Sequence, residues 1–165
     1  CYNRPIGVHN MKSLGLRVTP KLVYFSVIEA DNNGTFSILT NDKVVVPLAL
    51  TVPERLRFIR NTFLSIVLEY SIERAGIKNA ENTAQTINYD RLYMEGVLQE
   101  LIADCTIEKF FASNMAKLSG LFTIDRKIVK QMCAGEVCFA KIDEWGSFGQ
   151  ETRECVLCAV AASEL

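Results

Sequence analysis

The sequence predicts an α/β domain built in three layers, a mixed sheet with helices on both faces. Three observations carry this: strand-like runs separated by turn residues lead the chain, the apolar period lengthens to a helical one at Pro53, and short strand-like runs then alternate with helices. Ser13 to Val18 is a short apolar run closed by Thr19-Pro20, and Leu22 to Ala30 is a second, rich in β-branched and aromatic residues. Asp31-Asn32-Asn33-Gly34 supplies residues that tolerate positive φ, so a turn is predicted before the strand pattern resumes at Thr35 to Leu39. Asn41-Asp42 predicts another turn ahead of Val44-Val45-Val46, which Pro47 stops.

Leu56, Ile59, Phe63, Ile66, Val67 and Tyr70 then fall at helical spacing, with Pro53 at the first turn, where its missing N–H costs nothing. A strand is predicted around Arg74 to Asn79, followed by a polar loop to Thr86. Tyr89, Tyr93, Val97 and Leu101, joined by Met94, Leu98 and Ile102, mark a second helix. Thr106 to Ala112 reads as a strand, Ser113-Asn114 as the cap of a short helical turn, and Thr123 as the cap of a helix through Ile124, Ile128 and Met132. Ile142 to Gln150 reads as a loop and Glu151 to Ser163 as a last helix.

The chain has 165 residues, 49% of them hydrophobic, and no long apolar run, which fits a single soluble domain with a real core and excludes a membrane-spanning helix. Lys and Arg number 18 against 19 Asp and Glu, so any nucleic acid must be held by a local patch. One histidine, His9, argues against a catalytic triad or a His-rich metal site. Six cysteines in a chain this apolar do not look like a secreted disulfide framework, so a reducing cytoplasm is expected. Residues 1–10 are polar, lack the apolar core of a signal peptide, and read as an extension or added leader before a single domain over 11–165 that starts at Met11.

Three segments carry a family resemblance: Leu14-Gly15-Leu16-Arg17-Val18-Thr19-Pro20 at the first strand, Met94-Glu95-Gly96-Val97-Leu98 in the second helix, and Glu151-Thr152-Arg153-Glu154 opening an Ala-rich last helix. In this order the chain from Met11 onward resembles the RuvC-type branch of the ribonuclease H-like superfamily, the Holliday-junction resolvases. The resemblance implies a ribonuclease H-like fold and carboxylates from the first strand, the fourth strand and the last helix that hold two divalent cations about 4 Å apart. Arg17 falls where the resemblance implies the first-strand aspartate, and a guanidinium has no acceptor and repels Mg²⁺. For the fourth strand two registers stand open. One supplies Glu73; the better-spaced one puts Asn79 in the acid's place.

Glu151 and Glu154, at i and i+3, share a helix face and survive as acids, although carboxylates in a first helical turn are favoured by the macrodipole alone. Arg17 could also pair with one of them, filling the metal site with a salt bridge. Glu95 is expected at a solvated boundary. Cys155 and Cys158, with Cys133 and Cys138, have metal-like spacing but read as buried thiols, because the first pair sits in an apolar helix. Arg55, Arg57, Arg60, Lys127 and Lys130 are candidate phosphate contacts, set against the plainer reading of a solvated face.

The favoured function is a RuvC-like domain that has lost catalysis and works as a nucleic-acid-related binding or interaction module on DNA or RNA, with no cofactor. One alternative is an Mg- or Mn-dependent nuclease with a rebuilt site from Glu73 or Glu81 with Glu95, Glu151 and Glu154. The other is a structural homodimer without nucleic acid.

Overall fold

The computed structural model describes residues 10–79, 87–140 and 142–165. The expected leader, His9, Glu81 and most of the polar loop before Thr86 lie outside the described residues. Five strands form one sheet: β1 (Met11–Val18), β2 (Leu22–Ala30), β3 (Phe36–Val45), β4 (Arg74–Lys78) and β5 (Lys109–Ser113). Their spatial order is β3-β2-β1-β4-β5; β1, β2 and β3 pair antiparallel, while β4 runs parallel to both β1 and β5. The helices are α1 (Val52–Tyr70), α2 (Tyr89–Asp104), α3 (Met115–Phe122), α4 (Arg126–Ala134) and α5 (Gln150–Ser163), with a 3₁₀ turn at Trp145–Ser147.

The period-2 alternation of β1 assigns its two faces. Leu14, Leu16 and Val18 enter a core shared with Val23, Phe25 and Val27 of β2 and with Ile59, Phe63, Met94 and Leu98 of α1 and α2. The opposite face carries Ser13, Gly15 and Arg17 and receives α5, whose residues Arg153 through Ala162 are all buried. A helix buried all round must be apolar and narrow, and Cys155-Val156-Leu157-Cys158-Ala159-Val160-Ala161-Ala162 satisfies both demands. A second core of Ile28, Phe111, Leu118, Val129, Trp145 and Leu157 ties α3 and α4 to the same side. The three layers expected from the element order are therefore present.

The helix ends follow local chemistry. At the start of α1 the Thr51 backbone N–H and hydroxyl both donate to Glu54 Oε2, at 2.9 and 2.6 Å. Asn88 and Asn114 cap α2 and α3 through the N–H groups of Arg91 and Lys117.

Three expectations need correction. No turn occurs at Asn41-Asp42, because both residues are held in the ladder opposite Ser26 and Phe25, and the irregularity falls instead as a register shift at Val27/Ile28. Thr123 does not cap α4. It is the left-handed C-cap of α3 with φ 54°, and Asp125 caps α4 by accepting from the Lys127 N–H at 2.7 Å. The last strand begins at Lys109 rather than Thr106, the intervening chain being fixed by the Glu108 N–H donating to Glu73 O.

Candidate functional site

The site grows from a rule about approach. Gly15 of β1 and Gly76 of β4 are register partners beneath α5. A Cβ on Gly15 would lie 1.8 Å from the Cys155 carbonyl oxygen, and one on Gly76 2.6 Å from the Cys158 oxygen, so only glycine lets the helix backbone come this near. The Ser13 hydroxyl donates to Ala159 O at 2.7 Å and fixes the helix along the strand. Two residues further along the same face, the strands present Arg17 and Lys78, again register partners, flanked by Tyr24 and Ser113. At that level α5 has just completed its first turn and offers Glu154.

Arg17 Nε lies 2.8 Å from Glu154 Oε2. Neither atom has an aligned hydrogen-bond partner among the described residues, so the contact is Coulombic in character. The Arg17 Nη1 donates at longer range to the carbonyl oxygens of Lys78 and Asn79, at 3.4 and 3.3 Å. Lys78 is 1% exposed and its ammonium donates to Asn79 O at 3.1 Å. Gln150, the first residue of α5, donates to Glu154 Oε1 at 3.3 Å.

Arg17, Lys78, Gln150 and Glu154, with Arg91 of α2 and Lys130 of α4, line a cavity of about 400 Å³. Arg91 Nε donates to Glu95 Oε1 at 2.9 Å across one helical turn, and its Nη2 is buried with no hydrogen-bond acceptor among the described residues. Glu95, expected at a solvated boundary, is 5% exposed. The correction has a simple cause: Arg91 folds over it and neutralises it, so burial is tolerated.

The cavity wall on the α4 side depends on Arg153, which is 8% exposed. Its guanidinium donates to Cys133 O at 2.7 Å, Ala134 O at 3.1 Å, Phe148 O at 2.6 Å and Trp145 O at 3.3 Å. Gly135, with φ 83°, ends α4 directly against it, and a Cβ there would sit 2.6 Å from Arg153 Nη1. A cation on the last carbonyls of a helix also opposes the negative end of the helix dipole.

A divalent metal does not fit these residues. The two strand positions that would face it are cations, and the one carboxylate that lines the cavity among the described residues, Glu154, turns an oxygen to Arg17. Glu73, one of the two fourth-strand candidates, sits at the other end of the sheet, where its N–H donates to Lys12 O and its carboxylate accepts from Lys12 N–H at 3.4 Å. Glu151 lies near Tyr24, whose phenol is pushed up first by desolvation and then by the Glu151 charge. The nuclease alternative predicts that Glu73 or Glu81 meets Glu95, Glu151 and Glu154; Glu73 stands apart at the other end of the sheet, Glu81 lies outside the described residues, and no group of three or more His, Cys, Asp or Glu suited to a metal occurs among the described residues.

The thiols are equally unsuited. Burial, with the Glu154 carboxylate adding, pushes Cys133 up to about 12, and burial drives Cys155 and Cys158 upward too, so all three stay protonated.

Asn79 contributes its backbone carbonyl rather than a side chain to the cation pair, and the residue beside Arg17 in the ladder is Lys78. Sequence reading missed Lys78, Arg91 and Arg153. Strand parity counted from the glycine pair finds the first, and the i, i+4 spacing of Arg91 and Glu95 hints at the second. Of the phosphate-contact candidates, only Lys130 reaches the cavity. Arg55 pairs with Asp90 at 3.3 Å, and Arg60 with Glu100 at 2.9 Å and Asp104 at 2.6 Å, pinning α1 to α2; Arg57 and Lys127 are exposed.

No protein-family model and no curated protein matches this chain. Among solved structures it is similar to RuvC from Thermus thermophilus, with a TM-score of 0.69 and 12% identity over 93% of this chain and 94% of that one. The same figures hold for T. thermophilus RuvC in complex with a Holliday junction substrate. The yeast mitochondrial Holliday junction resolvase overlays with a TM-score of 0.55 and 10% identity, covering 92% of this chain and 78% of the other. Nearly complete coverage of both chains, together with the sheet order and the buried last helix, establishes that this chain has the RuvC-type ribonuclease H-like fold.

Proposed function

We propose that this domain is a catalytically impaired RuvC-like module that binds branched or single-stranded nucleic acid through fixed cations instead of bound metal. The observation that carries the reading is the Arg17–Glu154 contact of 2.8 Å with Lys78 alongside, two basic residues paired in register at the end of the parallel strands. Two solved structures of this fold support the nucleic-acid part, one being RuvC with a Holliday junction substrate and the other a Holliday junction resolvase. The net charge of -1 fits a molecule that grips phosphate at one place rather than over its whole surface.

A fixed-cation grip differs from a metal-bridged one in two measurable ways. Chelators leave it untouched, and rising salt weakens it with a slope set by the number of phosphates neutralised. The test is retention of a four-way junction, a duplex and a single strand by the purified protein at low salt, with EDTA or with Mg²⁺ or Mn²⁺. Junction or single-strand binding that is indifferent to EDTA, falls with salt and is accompanied by no strand scission is the expected result. Strand cleavage by the wild-type protein in Mg²⁺ or Mn²⁺ overturns the proposal and favours a nuclease.

A further inference from the structure

We propose that the outer face of α4 is a docking surface for the phosphate backbone of a duplex arm of nucleic acid, held by Arg126, Lys127 and Lys130 without regard to base sequence. This deepens, and rests on, the reading of the domain as a nucleic-acid module, and adds to it a surface beside the cavity.

Spacing places the three cations together. An α-helix turns about 100° per residue, so Arg126, Lys127 and Lys130 fall within about 100° of one another and share a face of α4, and all three are exposed. From Arg126 to Lys130 the helix rises about 6 Å, and three charges over that length match a backbone that carries one charge per about 3.4 Å of each strand. Lys130 also lines the cavity, so the row ends at its rim.

The fold itself has no use for this charge. Arg55 is paired with Asp90, and Arg60 with Glu100 and Asp104, so those guanidinium groups hold α1 to α2. The side chains of Arg126, Lys127 and Lys130 make no ion pair or hydrogen bond among the described residues. Asp125, next to them in sequence, is the cap of α4 and accepts from the Lys127 backbone N–H at 2.7 Å. Arg126 and Lys127 moreover stand in a first turn, where cations face the positive end of the helix dipole. The first turns of α1, α2 and α5 carry Glu54, Asp90 and Glu151, and that of α4 carries no acid. The arrangement works against the helix and in favour of an approaching polyanion.

A duplex fits this face better than a single strand does. Surfaces that track single strands combine cations with aromatic rings on which bases stack, and α4 contains no aromatic residue. Its far end is fixed by Arg153, which donates to Cys133 O and Ala134 O, so the cations project from an anchored helix.

The experiment measures binding of two duplexes of unrelated sequence, a four-way junction and a single strand across a salt series in EDTA. It compares the wild-type chain with Arg126→Gln/Lys127→Gln/Lys130→Gln. The triple variant should flatten the slope of log K against log salt on the duplexes by about 2 to 3, near 0.9 for each phosphate no longer neutralised, with the same loss of affinity for both sequences. Lys127→Gln alone should flatten it by about 1. The thermal midpoint should hold or rise slightly, because the repulsion from the helix dipole is relieved. Arg57→Gln, an exposed cation on α1, should leave the slope as it is.

A triple variant that keeps the wild-type slope and affinity, while the wild-type chain retains junction DNA, overturns this inference and leaves the proposed function standing. A flattened slope together with equal wild-type affinity for junction, single strand and duplex supports the α4 surface and removes the preference for branched or single-stranded nucleic acid. Absence of any nucleic-acid binding by the wild-type chain overturns both.

Discussion

Beneath α5, the Gly15/Gly76 pair and the Arg17/Lys78 pair are neighbours on the same strands and the same face, yet they do opposite work. At the glycines the helix backbone approaches so closely that no side chain fits. At the cations, near the start of the helix, the space opens into a cavity, and charge is concentrated where apolar packing stops. Close packing at one level is what allows an expensive cluster of charge at the next: the glycine level fixes the helix, so the cations need not contribute to holding it.

Four substitutions probe the difference between the levels. Gly15→Ala should be the most damaging, because a Cβ 1.8 Å from a backbone oxygen forces α5 off the sheet. A loss of at least about 3 kcal/mol is expected, read as a large drop in the denaturation midpoint. Arg17→Met leaves the buried Glu154 without its ion partner and should cost about 3 kcal/mol, while weakening retention of junction or single-strand nucleic acid. The double variant Arg17→Met/Glu154→Gln should recover most of that stability but none of the binding; recovery of both would show that the cation is structural only. Arg60→Ala, on the opposite side of the sheet, should leave retention of junction or single-strand nucleic acid unchanged, since Arg60 is committed to Glu100 and Asp104.

The element order was legible because every helix and strand carries its own period or cap. Arg17 was legible for a related reason: it stands in a strand whose length and alternation leave one register. Lys78 was hidden because β4 is short and flanked by both Glu73 and Asn79, so its parity is fixed only by pairing with β1. Arg55 and Arg60 read as free cations in a linear view, since their acidic partners lie 35 to 44 residues away on α2. Asn41-Asp42 misled because local turn preference lost to ladder pairing with β2, a contest decided by tertiary contacts.

Arg153 has a consequence for how a ligand would be met. By holding the last carbonyls of α4 and those of the Trp145–Phe148 segment from the first turn of α5, it welds two walls of the cavity into one piece. The backbones that carry Lys130 and Glu154 are therefore tied to one another through one buried guanidinium, so an arriving anion meets walls that are already joined and little backbone ordering entropy is lost there.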